Sequence, residues 1–281
     1  MAYRIDPSPR GVAARARDAL DATIVLVGCG GTGSFLAEAI CRLLIARTAS
    51  LYLVDMDRVE EHNVVRQAFD PDEVGQFKAQ VLAERLARRF RCTIGYAVQA
   101  YDAGLHARVF RAQPSRLNLL VGCVDNSDAR QAIVASLEGR SDVWWLDAGN
   151  GRNSGQVLLG NASHPDGLRG AFDKRKGICR VLPSPALQRP DLLDAPPSPA
   201  PPLDCAEAIA REIQGPTINQ VVAAIAANFV EKLFAGSCGM MSAYFDMEDV
   251  TLRCVPAEPK TVAGIVGLHP NAVTRRSDNW R

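Results

Sequence analysis

This 281-residue chain is short of paired cysteines, of excess charge and of long apolar runs. It contains eight cysteines, but no two stand in a C-x-x-C pair, so the knuckle spacing of a structural zinc site is missing and no structural zinc is expected. Its net charge is only +1, which gives no bulk attraction to nucleic acid, and no DNA partner is expected. The arginines of "RLARRFR" (85–91) read as the solvated face of a helix. "VVAAIAANFV" (221–230), the longest apolar stretch, is too short to cross a bilayer. Residues 1–20 hold charges and prolines with no apolar core of signal-peptide length. No membrane association is expected, and the location expected is cytoplasmic, with reduced cysteines used mostly as small apolar residues. There is no internal repeat.

The chain does show alternation. "TIVLVG" (23–28), "SLYLVD" (50–55), "TIGYAV" (93–98), "LNLLVGCV" (117–124) and "VWWLD" (143–147) are strand-like apolar runs. Helical spacing separates them, in 34–46 (Phe35, Leu36, Ala39, Ile40, Leu43, Leu44), in 76–90, and in 127–138 behind a Ser cap at Ser127. Such alternation predicts an α/β fold: a doubly wound, mostly parallel, Rossmann-like sheet. One domain is expected. It comprises an extension (1–22), a nucleotide-binding core (23–160), a proline-rich crossover loop (161–204), a helix with two antiparallel strands (205–255) and a tail (256–281). Eight prolines between Pro183 and Pro202 read as a long, mobile loop.

"LVGCGGTGS" (26–34) follows the first strand and opens the first helix. Gly28, Gly30 and Gly33 satisfy G-x-G-x-x-G, which lets backbone approach a phosphate at a helix N-terminus. Asp55 ends the second strand, where an acid meets a ribose. All of this suits NAD equally well. Position 34 is Ser, so a Walker loop is excluded and the cations for a triphosphate must come from elsewhere. "VDMDRVEEHNVVRQAF" (54–69) supplies Asp57, Asn63, Arg66 and Gln67. "VGQFKAQ" (74–80) supplies Lys78, and "GCVDNSDAR" (122–130) supplies Asp125 and Asn126. In a doubly wound sheet these can converge at the carboxyl ends of the strands. Arginine, lysine and aspartate around a phosphate loop serve phosphoryl chemistry, and hydride transfer needs none of them. A NAD-dependent dehydrogenase is therefore disfavoured.

Those four motifs in that order resemble the ThiF/MoeB/HesA family, relatives of ubiquitin-activating enzymes. The likeness runs from about Thr23 to Gly160 and resumes in 217–234. Residues 205–233 are most similar to ThiF-like proteins of the PRTRC cassette and others encoded beside JAB-type peptidases. The resemblance implies an adenylyltransferase that uses ATP and Mg²⁺ to activate the C-terminal carboxylate of a ubiquitin-like β-grasp protein, as a homodimer. It implies Asp55 at the ribose, Asn63, Arg66 and Lys78 at the phosphates with Gln67 nearby, and Asp125 as the Mg²⁺ ligand. Gly30 and Gly31 would lie against the nucleotide. The family's zinc knuckles are missing here. Its arginine-bearing N-terminal helix is not recognisable either, and Arg10, Arg15 and Arg17 are equal candidates for that arginine.

Some family members form a thioester on their own cysteine. Cys29 lies too close to the nucleotide, Cys123 reads as buried strand and Cys41 as helix core. Cys205, at the end of the proline-rich loop, is the leading candidate. Cys179, beside the basic "DKRKGICR" (173–180), is the alternative, and a structural role for either stays open. Two other readings also stay open: adenylation of a small-molecule or tRNA-borne carboxylate, and a silent scaffold for a ubiquitin-like partner.

Overall fold

The computed structural model describes residues 3–8, 21–45, 47–110, 116–194 and 216–274. Its strands are Arg4–Ile5 (β1), Asp21–Val27 (β2), Ala49–Val54 (β3), Ile94–Ala97 (β4), Arg116–Gly122 (β5), Val143–Asn150 (β6) and Ser154–Gly160 (β7). Phe172–Asp173 (β8), Ile178–Cys179 (β9), Met240–Asp246 (β10) and Thr251–Pro256 (β11) follow. The α-helices are Gly31–Leu44 (α1), Glu61–Val64 (α2), Lys78–Phe90 (α3), Ala103–Val109 (α4), Ser127–Leu137 (α5), Pro185–Gln188 (α6), Pro216–Phe234 (α7) and Pro259–Ile265 (α8).

Eight strands form one sheet in the order β11-β10-β7-β6-β5-β2-β3-β4. From β6 to β4 every neighbour is parallel, and β7, β10 and β11 add an antiparallel flank. The expected doubly wound, mostly parallel sheet is what forms. Strand β2 shows why: six consecutive residues from Ala22 to Val27 are buried, the mark of a strand covered on both faces. Ile24 and Leu26 pack with Leu36 and Ile40 of α1 and Val222 and Phe229 of α7. Val25 and Val27 point the other way, to Leu105, Phe110 and Ile133. Strand β3 lies on one side of β2 and β5 on the other, so the winding reverses between β2 and β5. Val27 is in register with Val54 and Gly122, and Gly122 with Asp147. The carboxyl ends of β2, β3 and β5 therefore stand level, with β6 running on to Asn150, around the crevice that such a reversal opens.

The described part of the proline-rich stretch departs from expectation; Pro196, Pro197, Pro199, Pro201 and Pro202 lie outside the described residues. Residues 161–194 are not a long mobile loop. Pro183 bridges to Ala162, while Pro185 opens α6 and Pro190 opens a 3₁₀ turn, first-turn positions that tolerate a missing N–H. Asn161 accepts from the Leu182 amide at 3.0 Å, and Gln188 Nε2 donates to the Leu159 and Pro183 carbonyls at 3.0 and 2.8 Å. Within this stretch β8 and β9 join β1 in a second small sheet, in the order β1-β9-β8. The cap of α5 also differs. Asn126 rather than Ser127 is its N-cap, accepting from the Ala129 amide at 2.8 Å. Helix α4, absent from the sequence reading, buries only Leu105 and His106.

The glycine turn is tightly closed: a Cβ on Gly33 would stand 1.8 Å from the Gly28 carbonyl oxygen. Gly33→Ala is expected to lower the free energy of unfolding in urea by about 3 kcal/mol. Exposed Gly264, in α8 with nothing within 4 Å of its Cβ position, is the control. Its Ala variant should unfold at the same urea concentration or a higher one.

Candidate functional site

The site is built around the turn between β2 and α1. Gly28 takes φ +91°, which a side chain would strain, and the close approach of Gly33 folds the turn back on itself. Asp55 braces it: Oδ2 accepts from the Cys29 amide at 2.6 Å and Oδ1 from the Asp57 amide at 2.8 Å. Burial pushes the Asp55 carboxyl above its ordinary value, against those two hydrogen bonds. Gly30 is the N-cap of α1 and has no side chain to satisfy the first-turn N–H groups. A Cβ at Gly30 would meet nothing within 4 Å, so open space lies directly over the helix's positive end. Gly31 also has a packing reason to lack a side chain. A Cβ there would come within 2.5 Å of Asn219 Nδ2, so packing against α7 demands glycine at that position.

That open space is a cavity of about 960 Å³. Gly28, Gly30, Gly31, Asp55, Asp57, Asn63, Arg66, Gln67, Lys78, Asp125 and Asn126 all line it. The structure thus gathers the sequence-chosen polar residues into one pocket, while Gly33 sits beneath the turn. Lys78 is the first residue of α3; its Nζ lies 3.3 Å from Asp57 Oδ2 and its amide donates to the Asp57 carbonyl at 2.9 Å. Asp57 therefore holds the lysine. Asn63, with Oδ1 accepting from the Glu60 amide at 3.1 Å, closes a capping box at α2. Gln67 is buried and its Oε1 has no hydrogen-bond partner. Arg66 is half-buried and its carbonyl accepts from Asn219 Nδ2 at 3.2 Å. Asp125 is exposed at the end of β5, and its Oδ1 accepts from Asn126 Nδ2 at 3.2 Å.

A nucleotide triphosphate and its cation fit this set. The uncapped α1 terminus opens into the cavity, and Arg66 and Lys78 flank it. Among the described residues no cluster of three metal-ligating side chains occurs. One exposed carboxylate, Asp125, suits Mg²⁺, which keeps waters and takes further ligands from phosphate.

Residues 11–260 match the ThiF family. The chain belongs to the ThiF family. Ubiquitin-like modifier-activating enzyme 5 of Xenopus laevis is 32% identical to it over 149 residues, covering 49% of this chain and 36% of that protein. The Branchiostoma floridae enzyme of the same name is 31% identical over 185 residues, 57% and 44% of the two chains. The matched stretch therefore spans under half the length of these relatives. Among solved structures, E. coli MccB with ATP aligns with a TM-score of 0.55 at 18% identity, covering 86% of this chain and 65% of that one. PaaA aligns at 0.54 and 15%, covering 86% and 65%. The chain thus shares the fold of MccB and PaaA.

Sequence reading missed several residues of this ThiF-family cavity. Asn219 of α7, fully buried, accepts from Asn150 Nδ2 at 3.3 Å, and Thr32 Oγ1 donates to Asn150 Oδ1 at 2.9 Å. That network ties α7, β6 and the glycine turn together. Arg130 and Tyr101 also line the cavity. Arg130 stood inside the motif "GCVDNSDAR", so only its inward orientation was hidden.

The cysteine reading needs correction. Cys179 is fully buried, its thiol donates to the Val181 carbonyl at 3.2 Å, and burial pushes its pKa up to about 12. It is no nucleophile: the basic residues before it are exposed while its own side chain faces the core. Cys123 lies just beyond β5 and is half-buried, and Cys41 is core as expected. Cys205, like Arg10, Arg15 and Arg17, lies outside the described residues. Native-state alkylation with iodoacetamide, mapped by mass spectrometry, should modify the exposed Cys92 and Cys254 first. Cys29, Cys41 and Cys179 should react only after denaturation; Cys179 labelling as fast as Cys254 would contradict its burial.

Proposed function

We propose that the chain is an adenylyltransferase that uses ATP and Mg²⁺ to activate a carboxylate, and that the carboxylate is the C-terminus of a ubiquitin-like β-grasp protein. One observation carries this reading: Arg66, Lys78 and Asp125 line one cavity with an uncapped glycine turn. The ATP-bound MccB neighbour has the same fold, and the relatives are ubiquitin-like modifier-activating enzymes. The likeness of residues 205–233 to PRTRC-cassette proteins suggests a partner encoded beside the gene, and a homodimer is part of the same proposal.

The ribose would lie toward Asp55, and the phosphates over the α1 terminus, whose amides and dipole stabilise negative charge. The acyl carboxylate oxygen attacks the α-phosphorus as the bond to the bridging oxygen breaks, giving an acyl-adenylate and pyrophosphate. Arg66 and Lys78 stabilise charge that grows on the transferred and leaving groups. Lys78 can do this by exchanging Asp57 for phosphate, two anions within reach of one flexible ammonium. Asn63 and Gln67 offer side-chain amides to the same oxygens. Mg²⁺ held by Asp125 would supply further charge neutralisation on the phosphates. At about 960 Å³ the cavity is at the upper end for small-ligand sites, leaving room for an acyl tail beside the nucleotide. Cys205 is the proposed acceptor if a thioester follows.

Pyrophosphate exchange into ATP, measured with a β-grasp protein encoded near the gene, tests this. Lys78→Ala and Arg66→Ala should each reduce kcat by about 10²–10³, and Asp125→Ala should abolish the Mg²⁺ dependence together with most of the activity. Exchange that survives Asp125→Ala unchanged would overturn the assignment.

A further inference from the structure

The loop from Cys123 to Asn126 carries Asp125 and is fastened on both sides. Asn126 anchors its far end to α5. The near end is held by Arg130, which reaches back from α5 so that Nη2 donates to the Val124 carbonyl at 2.7 Å. Its Nε donates to Asp147 Oδ1 at 3.2 Å, and Asp147, on β6, is fully buried. Glycines house the pair. A Cβ on Gly149 would stand 3.0 Å from Arg130 Nη2, and one on Gly122 3.3 Å from Asp147 Oδ1.

A buried ion pair is a poor device for stability, because apolar residues of like volume usually serve as well. This pair also spends only part of its carboxylate, since Asp147 Oδ2 has no hydrogen-bond partner. What the guanidinium adds is geometric: a planar fork that joins Asp147, inside β6, to the residue preceding Asp125. Aspartates that hold cations are set by such supporting contacts. We propose that Arg130 is a positioning residue that ties the Val124 carbonyl to Asp147 and so aims the Asp125 carboxylate at a nucleotide-borne divalent cation. This rests on the adenylation reading, from which Asp125 takes its role.

Two variants of the full chain test it. Arg130→Lys keeps a positive charge beside Asp147 but has no fork to span both acceptors. R130M/D147L removes both charges together, so the core keeps no unpaired ion and is expected to fold. ATP binding is measured by calorimetry with and without Mg²⁺, and amide hydrogen exchange is followed across residues 123–126. Metal-free ATP affinity should stay within about twofold, because Arg130 is not assigned to phosphate. The gain in affinity conferred by Mg²⁺ should fall by about tenfold or more. Exchange at 123–126 should rise while the strands of the central sheet keep their protection. Wild-type Mg²⁺ gain and wild-type exchange in a folded variant would overturn the positioning role. Wild-type protein that binds no ATP under either condition counts against the adenylation reading instead, and the exchange data then decide on Arg130 alone.

Discussion

Everything at this site depends on how closely two stretches of backbone approach each other between β2 and α1. Gly33 sits against the Gly28 carbonyl with no space for a methyl group, and this contact swings the start of α1 over the end of the strand. The Asp55 carboxylate then locks the Cys29 and Asp57 amides. The outcome is a helix terminus without a capping side chain that opens into a cavity rather than onto sheet. A helix end buried without partners is costly, so one aimed into a polar cavity is arranged for an anionic ligand.

Around that terminus, charge is held by pairing. Lys78 faces Asp57, and Arg130 faces Asp147. The two pairs differ in burial, and the difference separates their roles. Asp57 is exposed, so its hold on Lys78 is soft, as the proposed exchange for phosphate requires. Asp147 is fully buried, and Arg130, itself buried, is fixed between this carboxylate and the Val124 carbonyl, away from exchange with solvent anions. On the proposed function, one cation would meet the ligand and the other would hold a loop. The hydrogen-bonded chain through Thr32, Asn150, Asn219 and the Arg66 carbonyl extends that frame to α7.

Much of this was legible in the sequence wherever signals were local. The parallel strands announce themselves as unbroken apolar runs, and the glycine spacing, Asp55, Lys78 and Asp125 fall at strand or helix ends that the runs define. Residues 161–194 were not legible. Strands β8 and β9 are two residues long and are held by pairing with each other, with β1 for β9, and with a bridge to Thr274 for β8. Pro183, Pro185 and Pro190 sit at bridge and first-turn positions, which a count of prolines does not distinguish from a loop. Cys179 was misread for a related cause: neighbouring lysines and arginines describe the chain's surface side, not the direction of the thiol. Arg130 and Asn219 act through partners 17 and 153 residues away, contacts that appear only once the sheet is assembled.

The central claim is that the glycine turn, Arg66, Lys78 and Asp125 together embrace the phosphates of ATP. A crystal structure with a non-hydrolysable ATP analogue and Mg²⁺ tests it most directly. The account predicts phosphate oxygens at about 3 Å from the amides at the start of α1, Lys78 Nζ turned from Asp57 onto phosphate, and the cation on Asp125. An analogue bound elsewhere, or one in this cavity with its phosphates turned away from all three side chains, would contradict it.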